Sequence, residues 1–318
     1  MDKIKACQFA NLAYYSRYKP PVRTITFAAP STTLTNFPAL VKCNSTFHIG
    51  TSTGYDVHFQ DLAGNELYFD LDFYDSVTGN GAWWVQIPSL TSSGPTSIKM
   101  LYGDSSVAAD GSSPTTVWSG YDYIYHFSGS DPLKDRMGSA DLTLASGITG
   151  TVVTSNSQTG QGLQLVSTGT QNITYGSYAN VSSFTYLIVA HASECYAHGL
   201  KTDYYSYGFS GYYSFEIYGA GKTFTPSVTF PSFEALSFSG GSAGAFLIFN
   251  GTGYDCSTSE RQDWLRDESH AIQIRPSCVY TLDEFRISKT VQKSSAWLSY
   301  EQAQITDHAT YTTYGPEA

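Results

Sequence analysis

The chain has 318 residues, a length that predicts two domains rather than one. Only 14% of the residues are charged, the formal net charge is -10, and the 17 Lys and Arg residues form no run. A surface built to neutralise phosphates, in nucleic acid or at an anionic membrane, is therefore excluded.

Residues 1–19 read as a short helix with Ile4, Phe9, Leu12 and Ala13 on one face, stopped by Pro20-Pro21. Such a helix is too short to stand alone, so it is expected to pack on something else and serve as an attachment segment. From Val22 the apolar residues recur with period two. Short strands are expected at Thr24–Ala28, Ala39–Cys43, Val57–Asp61, Leu67–Tyr74, Trp83–Ile87 and Ser97–Tyr102, separated by Pro, Ser, Thr and Gly. In Leu67–Tyr74, Phe69, Leu71 and Phe73 share one face and Asp70 and Asp72 the other. The stretch Asp110-Gly111-Ser112-Ser113-Pro114 is the expected linker. It bounds a small β-sandwich over residues 20–115 and a second domain over residues 116–318. The second half carries ten or so further strand candidates, from Tyr123–Phe127 to Glu284–Ser288, which is a jelly-roll number. It carries one late helix, Ser294–Gln304, with Trp297, Leu298 and Ala303 facing inward. The predicted fold class is all-β: two β-sandwich domains, the second a jelly roll, behind a short N-terminal helix.

Candidate chemistry is sparse. Asp70 and Asp72 lie on one strand face, as the two carboxylates of a glycosidase would, but the outer face of a half-buried strand accounts for them and is the expectation. Asp283 and Glu284 are the candidate calcium ligands, set against a simple pairing of Glu284 with Arg286. His191, Cys195 and His198 have no established zinc spacing. Cys7, Cys43, Cys195, Cys256 and Cys278 are scattered and expected to be reduced, with Cys256 and Cys278 the one pair placed to bridge within the second domain. No nucleophile elbow or phosphate-cradling loop occurs, and no catalysis is expected. The densest aromatic stretch is 196–218. Its Tyr204, Tyr205, Tyr207, Tyr212 and Tyr213 are candidates for stacking on a sugar, for a subunit interface, or for the sandwich core and its rim.

Two resemblances add to this reading. The ordered set Asn36–Val41, Gly54–Phe59, Gly64–Leu67, Trp84–Pro88 and Met100–Gly103 resembles a β-domain of unknown function found in bacterial, archaeal and phage surface proteins. That domain commonly precedes a laminin-G-type, concanavalin A-like jelly roll. Residues 118–318 resemble one in Tyr125-His126-Phe127, Asp135–Gly138, Phe246–Gly251 and, most specifically, Asp283–Ser288 followed by Ser295-Ala296-Trp297. The resemblance implies a lectin-like second domain.

The start of the chain lacks the apolar stretch of about 7–15 residues that a secretion signal needs. A chain folded in a cytoplasm yet composed like a surface protein is expected in a virion, as a non-enzymatic phage tail or capsid-decoration protein. Its expected partners are other virion proteins, further copies of itself, and a host-surface glycan. The alternatives are a carbohydrate-binding adhesin fragment and a polysaccharide hydrolase or lyase.

Overall fold

The computed structural model describes residues 20–144, 146–167, 171–178, 184–192, 199–201, 206–210, 214–217, 222–224, 232–241, 244–249, 252–255, 268–274 and 279–318. The expected helix of residues 1–19 lies outside these. Among the described residues no helix is long and apolar enough to cross a membrane.

The chain is all-β, as its period-two patterning requires. The first six strands are β1 (Val22–Phe27), β2 (Leu34–Cys43), β3 (His58–Asp61), β4 (Phe69–Asp75), β5 (Asn80–Leu90) and β6 (Thr96–Leu101). Helix α1 (Pro114–Val117) follows, then β7 (Tyr123–Tyr125), β8 (Ile148–Val153), β9 (Gly162–Ser167), β10 (Gln171–Tyr178) and β11 (Phe184–Ala192). The chain continues through β12 (Gly199–Lys201), β13 (Ser206–Ser210), β14 (Ser214–Ile217), β15 (Lys222–Phe224), β16 (Ser232–Gly241), β17 (Gly244–Phe249) and β18 (Thr252–Asp255). Strands β19 (Glu268–Ile274) and β20 (Val279–Ser288) lead to helices α2 (Ser295–Thr306) and α3 (His308–Tyr311) and a last strand, β21 (Thr312–Glu317).

Among the described residues the strands form four antiparallel sheets. Those of the first sandwich have the orders β21-β1-β6-β3 and β2-β5-β4. Those of the second have the orders β18-β17-β16-β11-β20-β9-β8, with β7 also on β20, and β10-β19-β12-β13-β14-β15. The last strand belongs to the first sheet: Ile25 pairs with Tyr314, Thr26 with Thr313 and Phe27 with Thr312. The chain thus returns across the division expected at residue 115.

Helix α2 carries the chain back. Its first turn is capped by Ser294, whose hydroxyl accepts from the Trp297 amide. Trp297 and Leu298 face inward as expected, whereas Ala303 is only half-buried. The polar residues Glu301, Gln302 and Gln304 are buried as well, because both sandwiches close over the helix. Gln302 donates to Ser237 Oγ and the Ile248 carbonyl of the second sandwich, and Gln304 Oε1 accepts from the Leu40 amide of the first. Leu40 lies on β2, at the rim of its sheet. There the free edge is covered by Gln304 and by the Tyr314 hydroxyl, which accepts from the Lys42 amide, so it offers no template for another chain.

Strand β5 is buried on both faces, as its unbroken run Ala82-Trp83-Trp84-Val85-Gln86-Ile87 dictates. Trp83 and Val85 join the core of the first sandwich. Ala82 and Trp84 join a second apolar cluster with Leu40, Phe73, Trp118, Tyr121, Leu187, Val189 and Ala235, which spans both sandwiches. The strand expected at Trp83–Ile87 runs on through Pro88 to Leu90. Beyond Gln86 the strand pairs with β2 alone, so a residue lacking an amide proton is tolerated there.

Candidate functional site

The face on which the sandwiches meet carries a group of buried charges. Its construction begins on β4, where the pairing runs Asp70 with Trp84, Leu71 with Trp83, then Phe73 with Ala82. Asp72 is the extra residue of a β-bulge, a device that redirects a side chain. The bulge turns Phe73 to the same face as Asp70 and breaks the strict alternation the sequence suggests. Asp70 and Asp72 do not lie on a solvated outer face: both side chains are 0% exposed, covered by the second sandwich.

That sandwich contributes His126, just beyond β7, and Glu284 and Arg286 on β20. His126 Nε2 lies 3.1 Å from Asp70 Oδ2, and Nδ1 lies 2.9 Å from Glu284 Oε1. Ionised carboxylates only accept, so both ring nitrogens donate and the ring is an imidazolium. It stacks on Trp84 with the planes 9° apart. Asp70 also accepts from Arg136 and, at 2.8 Å, from Trp118 Nε1. Arg286 donates to Glu284 at 3.0 Å and to Glu301 at 2.6 Å, with its guanidinium 4.0 Å from the Trp84 ring centre and 4.4 Å from that of Trp118. The Tyr121 hydroxyl completes the set by donating to Glu301.

The charges tune one another. Burial works against ionisation of Asp70, but the hydrogen bond from His126 and the charge of Arg136 outweigh it and hold the carboxyl down to about 2. Burial would lower His126, yet the charges of Glu284 and Asp72 raise it to about 10. For Asp72 burial is the largest influence, reinforced by Glu284, and the carboxyl is pushed up to about 7. Asp72 is held by the Ser128 hydroxyl and by Trp84 Nε1 at 3.2 Å.

The buried charges open on one side into a cavity of about 430 Å³. Asp72 and His126 lie at its floor, Tyr55 and Tyr74 are among its walls, and Asp110, Asp131, Lys134 and Arg136 ring it. Tyr55 follows Gly54, whose φ of +73° suits glycine and whose Cα sits where an added methyl would lie 2.8 Å from Tyr74 Cβ. The close approach brings the two tyrosines to one cleft.

The residues singled out in the sequence are distributed differently. Asp283 and Glu284, the candidate calcium ligands, are both buried among N–H and O–H donors: Asp283 accepts from the hydroxyls of Ser157 and Thr159 and the amides of Gln158 and Thr159. These donors occupy the Asp283 oxygens that a calcium ion would take. The pairing of Glu284 with Arg286 is present. Tyr204, Tyr205, Tyr212 and Tyr213 lie outside the described residues, as do Cys195, His198, Cys256 and Cys278. Tyr207 lies on β13, opposite Ile217 of β14 and Leu200 of β12. Cys43 is free and buried, and its thiol is pushed up to about 12 by burial. Sequence reasoning missed His126, Arg136, Arg286 and Glu301 as members of one group. Their signal was present as charged residues inside otherwise apolar segments, Tyr125-His126-Phe127 and Glu284-Phe285-Arg286-Ile287.

Residues 53–134 match a family described as a domain of unknown function, DUF2341. The match runs from before β3 to beyond β7, so it crosses the division expected at residue 115 and takes in Asp70, Asp72, Trp84, Trp118 and His126. No curated protein matches the chain. Among solved structures, the chain is similar to domain 4 of an extracellular GH43 arabinanase from Geobacillus stearothermophilus in complex with arabinotriose, at 15% identity and a TM-score of 0.41, over 59% of this chain and 97% of that one. It is similar to the sialidase of Trypanosoma rangeli in complex with sialic acid, at 12% identity and a TM-score of 0.43, over 76% of this chain and 45% of the sialidase. A third likeness is to the receptor-binding domain of botulinum neurotoxin type G, at 12% identity and a TM-score of 0.42, over 58% of this chain and 51% of that one.

Proposed function

We propose that the chain is a non-enzymatic, glycan-binding surface protein whose sugar site is the cleft at the junction of the two sandwiches. The observation that carries this reading is the lining of the cleft: two tyrosines beside alternating acids and bases, above a floor of charges fixed from behind. A sugar offers C–H faces that stack on aromatic rings and hydroxyls that both donate and accept, and this lining answers both. The floor is arranged to hold rather than to cut. Asp72, the carboxylate at the floor, is held by Ser128 and Trp84, which supports a positioning role.

The sparse charge and hydroxyl-rich surface support a setting on a phage particle, with other virion proteins and further copies of the chain as neighbours, or on a bacterial or archaeal cell surface. The test of function is a glycan array probed with the wild type and with Tyr55→Ala and Tyr74→Ala. Sugar-specific retention that both variants lose is expected. Retention equal in all three proteins moves the site elsewhere, and release of reducing ends from a bound glycan overturns the non-enzymatic reading.

A further inference from the structure

We propose that Asp72, His126 and Glu284 form a binding site for a divalent transition ion of the zinc class, at the floor of the cleft. One donor atom from each lies within 4.8 Å of the others. His126 Nδ1 is 2.9 Å from Glu284 Oε1 and 3.9 Å from Asp72 Oδ2. Two ligands held about 2.1 Å from a tetrahedral ion stand about 3.4 Å apart, so the observed pair of distances brackets what such an ion needs.

The surroundings of the three residues carry the inference further. His126 turns its other nitrogen to Asp70, which is itself fixed by Arg136 and Trp118, and Arg286 fixes Glu284. Metal-bound imidazoles are oriented by an outer carboxylate of this kind. Access is open, because Asp72 and His126 line the cleft. One imidazole with two carboxylates suits zinc or manganese, whereas calcium and magnesium favour oxygen alone.

The test uses the untagged full chain, stripped with EDTA and titrated with zinc chloride by calorimetry and by thermal melting. One zinc per chain and a rise in melting temperature are expected. Asp72→Asn, which keeps the shape of the side chain, is expected to weaken binding at least ten-fold with its circular dichroism unchanged. Absence of binding by the wild type, or equal binding by a folded Asp72→Asn, overturns the proposal. Should the variant fail to fold, X-ray absorption of the zinc-loaded wild type decides: one imidazole among oxygen ligands supports the site, and cysteine sulfur or no imidazole overturns it. No sugar enters these measurements, so the ion and the glycan stand or fall separately.

Discussion

Asp70 on β4 of the first sandwich and His126 beside β7 of the second share a hydrogen bond of 3.1 Å, with both side chains shut off from solvent. The bond joins residues 56 positions apart and ties the two sandwiches through a charge that neither could bury alone. Removing Asp70 takes away the carboxylate that lies between Arg136 and the Nε2 proton of His126, both of them cationic. Asp70→Ala is therefore expected to cost about 3–5 kcal/mol, read as a lowered midpoint in urea unfolding. A loss below about 1 kcal/mol would mean that the seam is wet or rearranges.

The same pair gives stability a pH dependence. A base whose folded pKa is raised contributes stability that is fully present below its unfolded value and is lost as pH rises through the folded value. For His126 the window runs from about 6.5 to about 10. Melting temperature is expected to fall as pH is raised through that window, and His126→Gln is expected to flatten the fall. An unchanged slope in the variant would assign the alkaline loss to other groups.

Returning the chain end to the first sheet makes that sandwich depend on residues far away in sequence. Ending the chain at Tyr311 removes one of the two partners of β1 and the Tyr314 hydroxyl over the Lys42 amide. A loss of at least about 2 kcal/mol and rapid proteolysis within residues 20–103 are expected. Protection equal to the full chain would show the first sandwich to be self-sufficient.

Gly54 joins stability to the cleft. Gly54→Ala forces a side chain into a left-handed conformation against Tyr74, at an expected cost of about 1–3 kcal/mol. The displaced Tyr74 is expected to weaken sugar binding more than the stability loss explains, measured on material shown to be folded. Full sugar affinity in a folded variant would remove Tyr74 from the site.

Much of the fold was legible. Alternating apolar residues announce the strands of the first sandwich, but not that the strand at Trp83-Trp84 is covered on both faces. The charged seam was not legible, for a physical reason. The Asp70-x-Asp72 pattern is the same whether water or a second domain covers that face, and the bulge at Asp72 leaves no mark in the sequence. The partners of Asp70 lie 48, 56 and 66 residues away, beyond any local pattern. The return of β21 was hidden likewise, since a short Thr- and Gly-containing segment does not reveal which edge it joins.

The proposed function makes the cleft between the sandwiches a site that holds sugar without cutting it. The most direct measurement is calorimetric titration of the best array glycan into wild type and Tyr55→Ala/Tyr74→Ala, with the same mixtures analysed for cleavage products by mass spectrometry. Saturable binding by the wild type, at least ten-fold weaker binding by the double variant, and an intact glycan throughout are expected. Cleaved glycan, or equal binding by the two proteins, would contradict it.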